Sequence, residues 1–339
     1  MKRCLEIAQS GLPAAMPNPA VGAVLVYNDK IIGEGFTSAY GGLHAEVNAF
    51  ATVKDKTLLA DATLYVSLEP CSHFGKTPPC CDLIIKNRVK KVVVGMIDPF
   101  AEVSGKGIQR LREAGIEVQV GVLENDCWEA NKRFFTFHQK KRPYIILKWA
   151  QTLNGFIAPL TKKEQAPVWL TTPFTRQWVH KLRSEEQAIL VGTNTVLADN
   201  PKLNTRDYFG ASPVRVILDQ QLKISNQYQV LDNQVKTIIL NAQVSKQEKN
   251  TCWEQIDFNA PIANQITNVL YQHNIQSVII EGGTQTLQTF IASNLWDEAY
   301  VCIGKTFLPN GIAAPTLSET LYKHQQLKSD QIITFKNTK

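Results

Sequence analysis

No stretch of this 339-residue chain is apolar for long enough to cross a bilayer; the most apolar runs, such as Ala62–Leu68 and Val92–Met96, are far too short. The opening Met1-Lys2-Arg3-Cys4-Leu5-Glu6 lacks the apolar core of an export signal, so the expectation is a cytoplasmic protein with no membrane partner. Long-period repeats and low-complexity tracts are also missing. Seven cysteines, an odd number without an export signal, argue against a disulfide framework and for metal binding or reactive thiols. No basic run exceeds Lys140-Lys141-Arg142, and the net charge of +6 is scattered among 30 acidic residues. That pattern reads as ordinary solubility charge and gives no reason to expect a nucleic-acid partner.

What the chain does have is the composition of a globular protein, with 44% hydrophobic and 19% charged residues. Its length exceeds what one core usually supports, so two domains are expected. In the first half, Val21–Tyr27 and Ile31–Gly35 flank an Asn28-Asp29 turn and read as a hairpin. A helix from His44, a strand Ala62–Ser67, a helix Pro79–Asn87, a strand Lys91–Gly95, a helix Gly107–Ala114, a strand Ile116–Val120 and a helix Glu124–Gln139 follow. Strands alternating with helices predict a mainly parallel sheet covered on both faces. The basic Lys140-Lys141-Arg142-Pro143 interrupts the series, which places the boundary between domains 1–142 and 143–339. A second α/β series then runs from the strand Tyr144–Ala150 to a final strand near Gln331–Phe335, with the helices Pro173–Leu182, Ile262–Asn274 and Thr284–Asn294 between.

Three short stretches carry chemistry: His44-Ala45-Glu46, Pro70-Cys71 and Pro79-Cys80. A catalytic zinc takes three protein ligands and keeps a fourth position for water. One imidazole and two thiolates, from His44, Cys71 and Cys80, supply the three, and the metal lowers the water's pKa to about 7. The proton shuttle must not itself be a ligand, and Glu46, two residues beyond His44, is placed for that work. His-x-Glu with Pro-Cys and a second Cys is the signature of zinc deaminases acting on bases. Here eight residues separate the cysteines instead of two.

That insert carries a resemblance. PCSHFGKTPPCC at Pro70–Cys81, MPNPAVGAVLV at Met16–Val26 and HAEV at His44–Val47 closely resemble the bifunctional deaminase/reductases of riboflavin biosynthesis, over essentially the whole chain. The resemblance implies a cytidine-deaminase-like three-layer domain followed by a dihydrofolate-reductase-like α/β domain. It implies zinc on His44, Cys71 and Cys80, catalysis by Glu46, and substrate contacts at Asn18 and Lys76. The substrate would be a phosphorylated ribosylamino-pyrimidine, a small molecule, with a homo-oligomer left open. Thr37 stands where members usually carry His, and Gly42 where many carry Glu.

In the second half, Ile279 to Leu287 runs from an apolar strand through Gly282-Gly283 into a helix, a turn whose N–H groups can meet a phosphate. It lacks the three-glycine spacing of the Rossmann fingerprint. Val191–Arg206, with Lys148-Trp149-Ala150 and Val168–Thr171, resembles the reductase half of the same enzymes. The resemblance implies NADPH contacts at Ala150, Trp169, Thr195, Asp199, Gly283, Thr284, Gln285, Thr286, Leu287, Gln288 and Thr289. It implies substrate contacts at Lys148, Pro167, Arg183, Leu203, Arg206 and Glu281. Arg183 and Arg206 suit a sugar phosphate because a guanidinium fork matches phosphate oxygens. Asn154 and Asn200 replace family aspartates, Gln220 a common Ser, and Thr306–Pro315 departs from the usual form. The competing readings are a deaminase for another nucleoside or RNA base with a non-catalytic binding domain behind it, and a structural zinc module joined to a nucleotide-sensing domain. Glu46 argues against the second, because a structural metal site has no use for it.

Overall fold

The computed structural model describes residues 1–74, 78–99 and 104–338. The chain divides into two compact units, Met1–Lys141 and Arg142–Lys339.

The first unit runs α1 (Lys2–Ala8), β1 (Gly22–Tyr27), β2 (Lys30–Phe36), α2 (Ala45–Thr52), β3 (Thr63–Leu68), α3 (Cys80–Lys86), β4 (Lys91–Met96), α4 (Lys106–Glu113), β5 (Glu117–Val120), α5 (Glu124–Ala130) and α6 (Lys132–Lys140). Its sheet has the order β2-β1-β3-β4-β5. Asn28 and Asp29 both take positive φ, 45° and 58°, the conformation a two-residue hairpin turn demands. The hairpin makes β1 antiparallel to β2, and β1 is antiparallel to β3 as well; only β3, β4 and β5 are parallel. The sheet is therefore mixed, where a mainly parallel one was expected. Ala23, Leu25, Leu64, Val66, Val92 and Val94 bury one face under Ala49 and Phe50 of α2 and Ile84 of α3. On the other, Cys4 and Ile7 of α1 pack with Val24. The helix α1 lay outside the sequence reading. The expected helix Glu124–Gln139 is broken at Asn131 (φ −124°, ψ 21°). Its buried side-chain amide donates to Ala20 O (2.9 Å) and accepts from Ala20 N (2.8 Å), pinning the loop that carries Asn18.

The second unit runs β6 (Tyr144–Gln151), β7 (Phe156–Ala158), α7 (Pro173–Glu185), β8 (Ala188–Gly192), α8 (Thr193–Asp199), β9 (Val214–Leu218), β10 (Thr237–Asn241), β11 (Lys246–Glu248) and β12 (Thr251–Gln255). It continues with α9 (Ile262–Gln272), β13 (Ser277–Gly282), α10 (Thr284–Ala292), β14 (Glu298–Ile303), β15 (Ile312–Ala313), β16 (Leu321–Leu327) and β17 (Asp330–Lys336). Among the described residues its main sheet has ten strands in the order β11-β12-β10-β9-β8-β13-β6-β14-β17-β16. The seven from β12 to β14 are parallel, and antiparallel strands close both ends. β8 is buried along its whole length and β13 nearly so, as parallel strands covered on both faces must be. Alternate residues divide between the faces: Leu190 and Ile280 pack with Ile266 of α9 and Leu287 of α10, while Ile189 and Ile217 pack with Val196 of α8. The end strands β11 and β16 are exposed and polar, which keeps the sheet from adding a further strand.

Two candidate active sites

In the first unit, β3 delivers the chain to Cys71, His44 stands at the N-cap of α2, and Cys80 opens α3. His44 Nδ1 lies 3.3 Å from Cys80 Sγ and 3.6 Å from Cys71 Sγ, and the three ligand atoms are all within 4.8 Å of one another. Tetrahedral zinc, with bonds of about 2.3 Å to sulfur and about 2.0 Å to nitrogen, spaces its ligands by about 3.5 Å. The donor set and its spacing fit the metal. The backbone N–H of Cys80 donates to Cys71 Sγ (3.3 Å). A hydrogen bond between the two thiols, helped by His44, pulls Cys71 down to about 4 and pushes Cys80 up, so the pair shares one proton, which a bound cation would displace.

Glu46, in the first turn of α2, is 4% exposed. Burial, and after it the Cys71 thiolate, raises its carboxyl to about 7. A carboxyl poised there can both take and return a proton near neutrality. Cys81 is directed elsewhere: its thiol bonds Pro70 O (3.4 Å) and Gly107 O (3.6 Å), and burial pushes it up to about 12.

Glu69 holds this arrangement and had no signal in the sequence. Its buried carboxylate accepts from the backbone N–H groups of Gly105 and Gly107 (both 2.9 Å), Asp98 (3.2 Å) and Ile108 (3.3 Å). The start of α4 is thereby tied to the residue two before Cys71. Gly107 allows the approach, since a Cβ there would stand 2.1 Å from Pro70 O. Thr37 is buried and uses its hydroxyl on the backbone of Val21. Asn18 is half-buried, two residues before the pinned Ala20. Lys76 lies outside the described residues.

In the second unit a cleft of about 1920 Å³ brings together every position expected there for substrate and cofactor, from Lys148 and Ala150 to Gly283–Thr289. The turns entering α8 and α10 abut: Gly283 Cα faces Thr195, and Gly192 faces Thr286 closely enough that a Cβ would meet its hydroxyl at 2.8 Å. No side chain caps α10, so its first-turn N–H groups remain available to an anion.

The cations of the cleft are not equivalent. Arg183 gives its fork to Glu281 (Nε–Oε1 2.9 Å, Nη2–Oε2 2.7 Å) and its remaining nitrogen to Asn204 O (3.2 Å). Lys148 Nζ is 3.7 Å from the same carboxylate. Burial alone would raise Glu281, but Arg183 and then Lys148 overcome it and hold the carboxyl at about 2. Arg206 is exposed, and among the described residues its side chain is bonded only to Asn204 Oδ1 at 3.4 Å. His180, which the sequence reading passed over, accepts the Arg206 backbone N–H on Nδ1 (3.1 Å). Burial, then Arg183 and Arg206, lower it to about 4, which keeps it neutral and able to accept. Trp169 is half exposed with the Arg176 guanidinium 4.8 Å from its ring centre, and Asp199 pairs with Lys162.

Asn154 and Asn200 each have local partners. Asn200 sits at φ 41° after α8, a conformation asparagine tolerates, and its carbonyls accept two bonds from Gln229. Asn154 donates to Leu308 O (2.7 Å) and accepts from Leu308 N (3.3 Å), which a carboxylate could not do. Leu308 belongs to the Thr306–Pro315 segment, so Asn154 ties that segment to the turn after β6. Asn154→Asp should cost about 1–3 kcal/mol, because Leu308 O loses its donor and meets a charge. Urea unfolding of the variant checks this, and an unchanged midpoint would contradict it.

Comparison with known proteins adds an independent finding. Residues 143–337 match a family model described as RibD C-terminal domain, and residues 1–96 match one described as Cytidine and deoxycytidylate deaminase zinc-binding region. The chain is 38% identical to Riboflavin biosynthesis protein RibD of Aquifex aeolicus, over 99% of this chain and 97% of that protein. It is 33% identical to the Escherichia coli protein of the same name, over 91% and 87%. Its structure is similar to that of a diaminohydroxyphosphoribosylaminopyrimidine deaminase/5-amino-6-(5-phosphoribosylamino)uracil reductase from Thermotoga maritima, with a TM-score of 0.89, 36% identity, and 99% and 97% of the two chains covered. Acinetobacter baumannii RibD matches with a TM-score of 0.90 at 32% identity, covering 100% and 98%.

Proposed function

The chain belongs to the RibD family of bifunctional riboflavin-biosynthesis enzymes, which deaminate and then reduce, and from that premise we propose how its residues divide the work. The substrate is 2,5-diamino-6-ribosylamino-4(3H)-pyrimidinone 5′-phosphate, deaminated in the first unit and reduced from ribosyl to ribityl in the second. Similarity along both halves leaves a non-catalytic C-terminal domain unsupported. The metal site's thiolates need a reducing setting, and all seven cysteines are free, which supports a cytoplasmic location.

His44, Cys71 and Cys80 hold zinc, which when bound supplies Lewis acidity and lowers the pKa of water towards neutral. Glu46 removes a proton from the attacking water and passes it to a ring nitrogen; it then takes the proton of the hydroxyl so added and hands it to the departing amine, which leaves as ammonia while the ring C=O forms. Asn18 and Lys76 orient the ring and its substituents. The observation that carries this half is the buried, non-ligating Glu46 beside an N, S, S donor set.

In the cleft, Gly283–Thr289 with Thr195 and Asp199 cradle NADPH, which when bound supplies a hydride. Ala150 and Trp169 flank it. Arg206 grips the sugar phosphate; Lys148, Pro167, Leu203 and Glu281 shape the sugar's end of the cleft. Arg183 lines the substrate site while its fork holds Glu281 in place.

Arg206→Ala should raise the KM for the pyrimidine more than that for NADPH and lower kcat/KM by about one to two powers of ten, the worth of a charged hydrogen bond of about 1.5–3 kcal/mol. Gly283→Val should do the reverse, weakening NADPH first, because its branched side chain enters the space facing Thr195. Steady-state kinetics with each substrate varied in turn decide it. Equal effects on both substrates would defeat the assignment.

A further inference from the structure

Outside both sites, three side chains of different chemistry meet at one end of the ten-stranded sheet. Cys252 and Glu254 are two apart on β12 and so point to the same face, while Trp253 between them packs on the other. That face lies under α9, whose C-cap is His273. His273 Nε2 is 2.8 Å from Glu254 Oε1, and Cys252 Sγ is 3.3 Å from the same oxygen. The three potential ligand atoms all lie within 4.8 Å of one another. None of the three residues lines the cleft.

We propose that Cys252, Glu254 and His273 form a second metal site, for a divalent cation of the zinc class. The set contains one sulfur, one oxygen and one nitrogen, which favours zinc or cobalt(II) over magnesium or calcium. Its charges balance a divalent ion: the carboxylate gives one, and the thiol gives the other by releasing its proton to solvent as the metal–sulfur bond forms. The imidazole binds neutral. Two rigid elements supply the ligands, β12 held by ladders to β10 and β11, and α9 held by Ile266 and Leu270 in the core. A cation therefore finds the donors already gathered. Access is open, since the side chains of Glu254 and His273 remain 30% and 19% exposed, leaving room for a water as fourth ligand.

The test uses the full-length protein with one zinc already bound per chain. Titration with Zn²⁺, and separately with Co²⁺, followed by gel filtration and elemental analysis, should show a second equivalent. The cobalt sample should gain the thiolate-to-metal absorption of a single new sulfur ligand. Cys252→Ser should lose that absorption and the second equivalent while keeping the first zinc and normal ammonia release. His273→Gln, at a partly exposed position, should fold and weaken the second equivalent at least about tenfold. A single equivalent at saturating metal, or a second one that survives in either variant with unchanged affinity, would overturn the proposal and leave the cluster a hydrogen-bonded tie between α9 and β12. If Cys252→Ser fails to fold, the His273→Gln titration alone decides.

Discussion

Glu46→Gln should keep its zinc and lose deamination, with kcat falling by about 10²–10⁴, the range of general acid–base catalysis. Glutamine preserves the shape and hydrogen bonding of the buried side chain but cannot accept and return a proton. Metal content should stay at the wild-type value because His44, Cys71 and Cys80 form the ligand set without it. NADPH-dependent reduction of already deaminated substrate should be unchanged, since its residues belong to the other unit. Ammonia release, elemental analysis and the reductase assay on one preparation separate these effects. Loss of the metal, or turnover near the wild-type rate, would remove Glu46 from the role assigned to it.

Glu281→Ala should produce the largest loss of stability, about 3–5 kcal/mol, by leaving Arg183 and Lys148 buried without their counter-charge. The same pair predicts a pH signature. Glu281 titrates at about 2 in the folded protein against 4.5 ordinarily, a difference worth about 3 kcal/mol. Its contribution is complete above about pH 4.5 and is lost as the pH falls towards 2. The stability gap between wild type and variant should therefore be full at neutrality and shrink in acid. Urea unfolding followed by tryptophan fluorescence suits this unit, which holds Trp149, Trp169, Trp178, Trp253 and Trp296. A gap below about 1 kcal/mol, or one that grows as the pH drops, would show that the pair does not carry this weight.

The deaminase site was legible in the sequence because its chemistry restricts residue type: few reasons other than zinc place His, Glu and two Cys at those spacings. The framework that holds it was not. Glu69 reads as any glutamate, and its four partners lie 29 to 39 residues further on, where only the fold places them. In the same way Arg183 and Arg206 looked alike, yet Arg183 is committed to Glu281, 98 residues away, by the pairing of neighbouring strands and helices. The buried strand β4 was readable to within a residue, because the run Val92-Val93-Val94 leaves little choice. The end strands β11 and β16 were missed for the opposite reason, being polar and exposed. Asn154 likewise is explained only by its partner, Leu308, 154 residues further on.

One chain carries out two reactions in a set order, hydrolytic deamination and then reduction. The most direct measurement follows ammonia and NADPH together in a single incubation of the purified, zinc-loaded protein with the ribosylamino-pyrimidine phosphate. Ammonia should appear at one equivalent per substrate whether or not NADPH is present, and NADPH oxidation should follow it with a lag and reach the same equivalence. NADPH consumed without ammonia, or ammonia released only when NADPH is supplied, would contradict the order and the division of labour between the two sites.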